Sequence, residues 1–153
     1  MNYQQQAIAG MNPVELVVAL YDGMVRFLYR AIAGIEAGNV RERRLAVKKT
    51  LDILMHLQSR LKMEVGGSSA KALSEFYAAI FALCIEGSRL ASAERLREAI
   101  GCIRAVREAW QLAAKDPEVA RLLARERARQ AVRVPTPPPS IPNSGEARTS
   151  WTA

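Results

Sequence analysis

The segment Asn12-Pro13-Val14-Glu15 fixes where this chain begins to fold. Asn12 is a strong helix cap, Pro13 suits the first helical position, and Glu15 can return a carboxylate to the cap N–H. Leu16, Leu20 and Tyr21 then open an apolar stripe at helical spacing. Gly23 lies inside that helix, where glycine costs on the order of 1 kcal/mol against alanine, which points to a close approach by another backbone or to simple tolerance. The same grammar of cap followed by apolar stripe recurs along the chain, while strand-like alternation is absent. The sequence therefore predicts an all-α protein.

The first helix is expected from Pro13 to Glu36, with Gly38 past its end as a left-handed C′ residue. Asn39 caps a second helix over 40–63, whose narrow stripe is Val40, Val47, Leu51, Leu54, Leu57 and Leu61. Gly66-Gly67 breaks the pattern, and Ser68 or Ser69 starts a third helix to Leu90. This third helix is apolar around most of its girth, from Leu73 through Phe76, Tyr77, Ile80, Phe81 and Leu83 to Ile85. It is expected to be central in the fold or to be covered by a partner. Ser92 caps a fourth helix to Ala114, and Asp116-Pro117-Glu118 opens a shorter fifth helix to about Arg133. The expected architecture is an antiparallel four- to five-helix bundle over 12–133. A flexible arm precedes it (1–11), and a disordered Pro-rich tail follows it (134–153). No internal repeat is visible.

The chain has 153 residues, enough for one domain with a real core, and a net charge of +7. The positive charge is spread along the chain and is denser between Arg121 and Arg133. Aromatic residues fall on apolar helix faces, so a nucleic-acid interface is not expected. A basic helical adaptor that binds nucleic acid or another protein through Arg121 to Arg133 is the alternative reading. Cys84 and Cys102 lie in helical apolar patterns and read as two buried thiols. His56 is the single histidine, so no metal site and no Ser/His/Asp or Cys/His machinery can be assembled. No phosphate loop occurs, because no Lys-Ser/Thr follows Gly66-Gly67. No cofactor and no catalytic residue are expected. No charged-then-apolar pattern opens these residues, so a secretory signal is not expected, and no apolar run is long enough to predict membrane insertion. A helical bundle without an active site acts by offering surfaces. Two are candidates: the arm, with Tyr3 and Ile8 as its isolated hydrophobic points, and a groove beside the third helix.

The order of these motifs resembles one family. Tyr3 stands ten residues before Pro13, Leu16 follows, and the helix continues Leu20-Tyr21-Asp22-Gly23. Farther on come Leu57 and Leu61, then Glu64, Gly66 and Gly67, then Phe76-Tyr77, and Trp110 late in the fourth helix. Over residues 3–114 the chain resembles the flagellin export chaperones, the FliS family; Lys62 and Ala78-Ala79 depart from the pattern. The resemblance implies a cytoplasmic, non-enzymatic helical bundle that binds the C-terminal segment of flagellin. Such binding prevents premature polymerisation and keeps flagellin competent for flagellar type III secretion. It also implies docking of the arm, through Tyr3 and with Ile8 beside it, at the flagellar export gate. The expected groove residues are Leu16, Leu20, Tyr21, Met24, Tyr77, Ile80 and Trp110. A monomer and a swapped homodimer both remain open. A disordered cargo loses entropy on ordering, so a large apolar surface is required to offset it.

Overall fold

The computed structural model describes residues 12–61 and 63–118, together with Arg121 and Arg125; for 63–66 it describes the backbone alone. Among the described residues four helices follow one another: α1 (Pro13–Glu36), α2 (Val40–Ser59), α3 (Met63–Arg89) and α4 (Ala93–Ala114). Each packs on two neighbours, in the ring α1–α2–α3–α4 and back to α1. Short connections make successive helices antiparallel. The arm with Tyr3 and Ile8, the tail from 134, and most of the expected fifth helix lie outside the described residues. The turn that opens the fifth helix is present: the Glu118 N–H donates to Asp116 Oδ1 at 2.9 Å.

The start of α1 forms as its sequence dictates. The Glu15 N–H donates to Asn12 Oδ1 at 2.8 Å, and the Asn12 N–H donates to Glu15 Oε2 at 3.1 Å. Asn39 and Ser92 cap α2 and α4 in the same manner, through the Glu42 and Arg95 N–H groups. The end of α2 falls at Ser59, short of the expected residue 63. Arg60 and Leu61 donate to the carbonyls of Leu57 and Gln58, which tightens the last turn and brings Leu61 against the core. Gly67, at φ +53° and ψ −135°, interrupts α3 and separates a short lead from the main rod.

The connection α1–α2 and the connection α3–α4 are built alike. Asn39 N–H donates to Gly34 O and Gly38 N–H to Ile35 O; Ser92 N–H donates to Gly87 O and Ala91 N–H to Ser88 O. Both are Schellman closures in which one residue ends a helix and caps the next. Gly34 and Gly87 occupy the same place in the two hairpins. A Cβ on Gly34 would meet the Arg43 backbone nitrogen at 2.9 Å, and one on Gly87 would meet Leu96 Cδ2 at 2.6 Å. The correspondence continues inward, with Ala46, Val47 and Thr50 of α2 matching Ala99, Ile100 and Ile103 of α4, all buried. The two hairpins thus form an internal repeat that residue identities conceal.

One position breaks the equivalence. Gly38 adopts φ +67°, and its counterpart Ala91 adopts φ +48°. The left-handed region costs a residue with a Cβ roughly 1–2 kcal/mol. Ala91→Gly is expected to stabilise the bundle by about 1 kcal/mol, and Gly34→Ala to destabilise it by about 1–3 kcal/mol through overpacking. Urea unfolding of the two variants against the parent checks both signs.

Candidate functional site

The core is held by a polar contact across the bundle. Tyr21 of α1 and Tyr77 of α3 lie on opposite helices of the ring, and their hydroxyls are 2.8 Å apart in a hydrogen bond. Their rings meet edge to face, with centroids 6.2 Å apart. Trp110 Nε1 of α4 donates to the Tyr21 hydroxyl at 3.3 Å. Three helices are tied at one point. Burial pushes both phenols above their ordinary value and lifts the Cys84 thiol beside them in the core to about 12.

Each residue of Leu20-Tyr21-Asp22-Gly23 attaches α1 to a neighbour. Leu20 packs partly buried against the core. Asp22 receives two hydrogen bonds from Arg107 of α4, Nε to Oδ1 at 2.6 Å and Nη2 to Oδ2 at 3.2 Å. At Gly23 an added Cβ would sit 3.3 Å from Ile53 Cδ1 of α2, so the near neighbour is a side chain and not another backbone. Asp22 begins a ladder along the α1–α4 seam. Arg104 stacks over Tyr29 at 5.4 Å, and Arg97 pairs with Glu36 at 3.0 Å. These contacts serve the fold.

The seven residues expected to line a groove divide by burial. Tyr21, Met24, Tyr77 and Ile80 are inside the core, each at most 4% exposed, and only Leu16, Leu20 and Trp110 are half-buried. In this closed bundle those four lie behind the surface and support it. The third helix is not central either. Between Glu75 and Arg89 its exposed residues are Ala78, Ala79, Phe81, Ala82 and Ile85, all apolar. Phe81 is 40% and Ile85 44% exposed.

The open stripe lies toward α2. Gln58 of α2 donates to Ser74 Oγ of α3 at 2.8 Å across that seam. Ala78, Phe81 and Ile85 follow Ser74 at i+4, i+7 and i+11, so they share its side of the helix. In the equivalent places on α1, Val25, Leu28 and Ile32 are buried, on the side where α1 meets α4. The α2–α3 contact is the sparsest among the four neighbouring pairs, whereas α4 closes firmly on α1. The result is a half-open seam. Met55, one turn before Gln58 on α2, is 65% exposed.

Two expectations are corrected here. Cys102 is exposed and only Cys84 is buried, because position 102 falls between the core residues Ile100 and Ile103 on the outer side of α4. The rod Gly67–Arg89 is long and apolar enough, by length and composition alone, to cross a membrane. Reading for uninterrupted apolar runs misses it, since Ser74, Glu75 and Glu86 punctuate the stretch. Its composition follows from having one face in the core and another in the half-open seam. No cluster of metal-ligating residues occurs among the described residues.

The comparisons with known proteins concern the same span. The family model described as "Flagellar protein FliS" matches residues 1–117. A relative from Campylobacter jejuni, the flagellar secretion chaperone FliS, is 30% identical over 109 residues, covering 71% of this chain and 85% of its own. Proteins of the same name from Vibrio cholerae and Salmonella typhimurium are each 29% identical, over 67% and 70% of this chain and 76% and 80% of their own.

The buried phenols and thiol give a pH signature. Their protonated forms are favoured in the folded state, so the stability they contribute is complete below about pH 9 and is lost as pH rises toward their folded values. Unfolding free energy is expected to fall above pH 9, each group adding a slope of about 1.4 kcal/mol per pH unit. Tyr77→Phe removes one such group, so its stability curve between about pH 10 and 11 should be flatter than the parent's in urea titrations.

Proposed function

Because this chain belongs to the FliS family of flagellar proteins, we propose that it is an export chaperone for flagellin. It holds the C-terminal segment of flagellin, prevents premature polymerisation, and keeps the protein competent for flagellar type III secretion. It works in the cytoplasm without catalysis, as a monomer or a swapped homodimer. The observation that carries this reading is the half-open α2–α3 seam, where Phe81 and Ile85 stand exposed among alanines.

The physics of the seam suits such a cargo. An amphipathic segment laid along Ala78, Phe81, Ala82 and Ile85 buries one turn after the next against α3. Each Å² of apolar surface removed from water contributes roughly 25 cal/mol, which offsets the entropy lost when a disordered segment becomes ordered. Small alanines between the two large side chains let a helix backbone come close. The arm is a separate surface in this proposal. Tyr3 and Ile8 dock at the flagellar export gate while cargo stays on the bundle.

Calorimetry with the cognate flagellin C-terminal fragment is expected to give stoichiometric binding; no heat and no co-elution would end this reading. Phe81→Asp should weaken that binding by about tenfold or more, with stability kept within about 0.5 kcal/mol because the site is exposed. Tyr3→Ala should reduce flagellin export in motile cells and leave fragment affinity at the parent value. Equal loss of both would place Tyr3 in the cargo site.

A further inference from the structure

The seam between α1 and α2 carries positive charge that finds no ion-pair partner among the described residues. Arg26 and Arg30 stand one turn apart on α1, both exposed. Phe27, half-buried between the helices, lies under two cations: Arg30 Cζ is 5.7 Å and Lys49 Nζ of α2 5.4 Å from its ring centroid. The Arg26 guanidinium lies back over Gly23, with Nη2 4.0 Å from where a Cβ would be. The helices are antiparallel, with Gly23 against Ile53 and Phe27 against Lys49. Three cations therefore share about two turns of one seam. None of them makes an ion pair among the described residues. Two acids of α1, Asp22 and Glu36, are turned to α4, where they hold Arg107 and Arg97.

Like charges gathered on one face repel and cost stability. The aromatic ring offsets part of that cost and fixes where two of the charges stand. Pre-positioned cations lose less freedom when a carboxylate arrives, so binding is favoured. Leu45, exposed one turn before Lys49, adds an apolar contact on the same rim. We propose that the α1–α2 seam docks an acidic amphipathic helix of a second protein, its carboxylates on Arg26, Arg30 and Lys49 and an apolar side chain on Leu45. A phosphate backbone fits this face less well. Glu42 and Asp52 interleave with the cations on α2 and would repel a continuous anion, and Phe27 is already covered, so no base stacks on it. Because α3 packs on α2 and α4 and not on this seam, the surface is separate from the proposed cargo site. Both can be filled at once.

The test uses the full-length protein and a fluorescein-labelled peptide of about four helical turns, with glutamates on one face and leucines on the other. Fluorescence anisotropy is expected to show binding that weakens steeply between about 50 and 300 mM salt. The double variant R30E/K49E should bind the peptide at least about tenfold more weakly, and the milder R30Q/K49Q should fall between it and the parent. Both variants should keep the parent's thermal melt and its affinity for the flagellin fragment, while F81D should bind the acidic peptide normally. Three results overturn the proposal: no peptide binding by the parent, binding indifferent to R30E/K49E and R30Q/K49Q, or tighter binding of duplex DNA or phosphatidylglycerol vesicles through the same two residues. Any of these leaves the flagellin titration to judge the cargo site independently.

Discussion

The hydrogen bond between Tyr21 and Tyr77 sets the rotation of α3, and with it what the protein shows to its surroundings. Both hydroxyls are buried, so each must keep a partner or suffer the desolvation cost of about 1–3 kcal/mol. Turning α3 by one residue, about 100°, would hide Phe81 but leave a phenol unsatisfied in the core. An all-aliphatic core would not enforce that choice. The polar pair fixes one face of α3 inside and directs Ala78, Phe81 and Ile85 outward. Trp110 adds α4 to the same point through the Tyr21 hydroxyl.

Around this point the fold is nearly symmetric, and the proposed cargo surface lies where the symmetry fails. The two hairpins share their closures, their close-approach glycines and their buried small residues. Their outer seams differ. On α1 and α4 a bidentate Arg107–Asp22 pair, a stacked Arg104 and an Arg97–Glu36 pair clasp the helices. On α2 and α3 the one polar tie given by the described residues is Gln58 to Ser74. The clasped seam buries its apolar residues, and the loosely tied one leaves them in water. An apolar surface that stays wet is a standing gain for any segment able to cover it.

Much of this was legible in the residues. Asn12, Asn39 and Ser92 announce three helix starts, and Gly38 announces one helix end, because capping is local chemistry. The width of apolar surface on the third helix was also visible. What covered it was not, since core and seam use the same side chains. The spacing of Tyr21, Met24, Tyr77 and Ile80 suits a groove as well as a core, and burial puts all four in the core; Met55, a lone methionine in a charged helix, carries no pattern. Ala91 at φ +48° hid the second closure, where a glycine would have revealed it. The pairing of Asp22 with Arg107 depends on tertiary approach and has no sequence signal.

The proposal puts cargo on the outward face of α3. A photo-crosslinking phenylalanine analogue placed at position 81, and at position 105 on the outer side of α4, tests this directly when each protein is irradiated with the flagellin C-terminal fragment. An adduct is expected from position 81 and none from position 105. An adduct from position 105 with none from position 81 would rule that placement out.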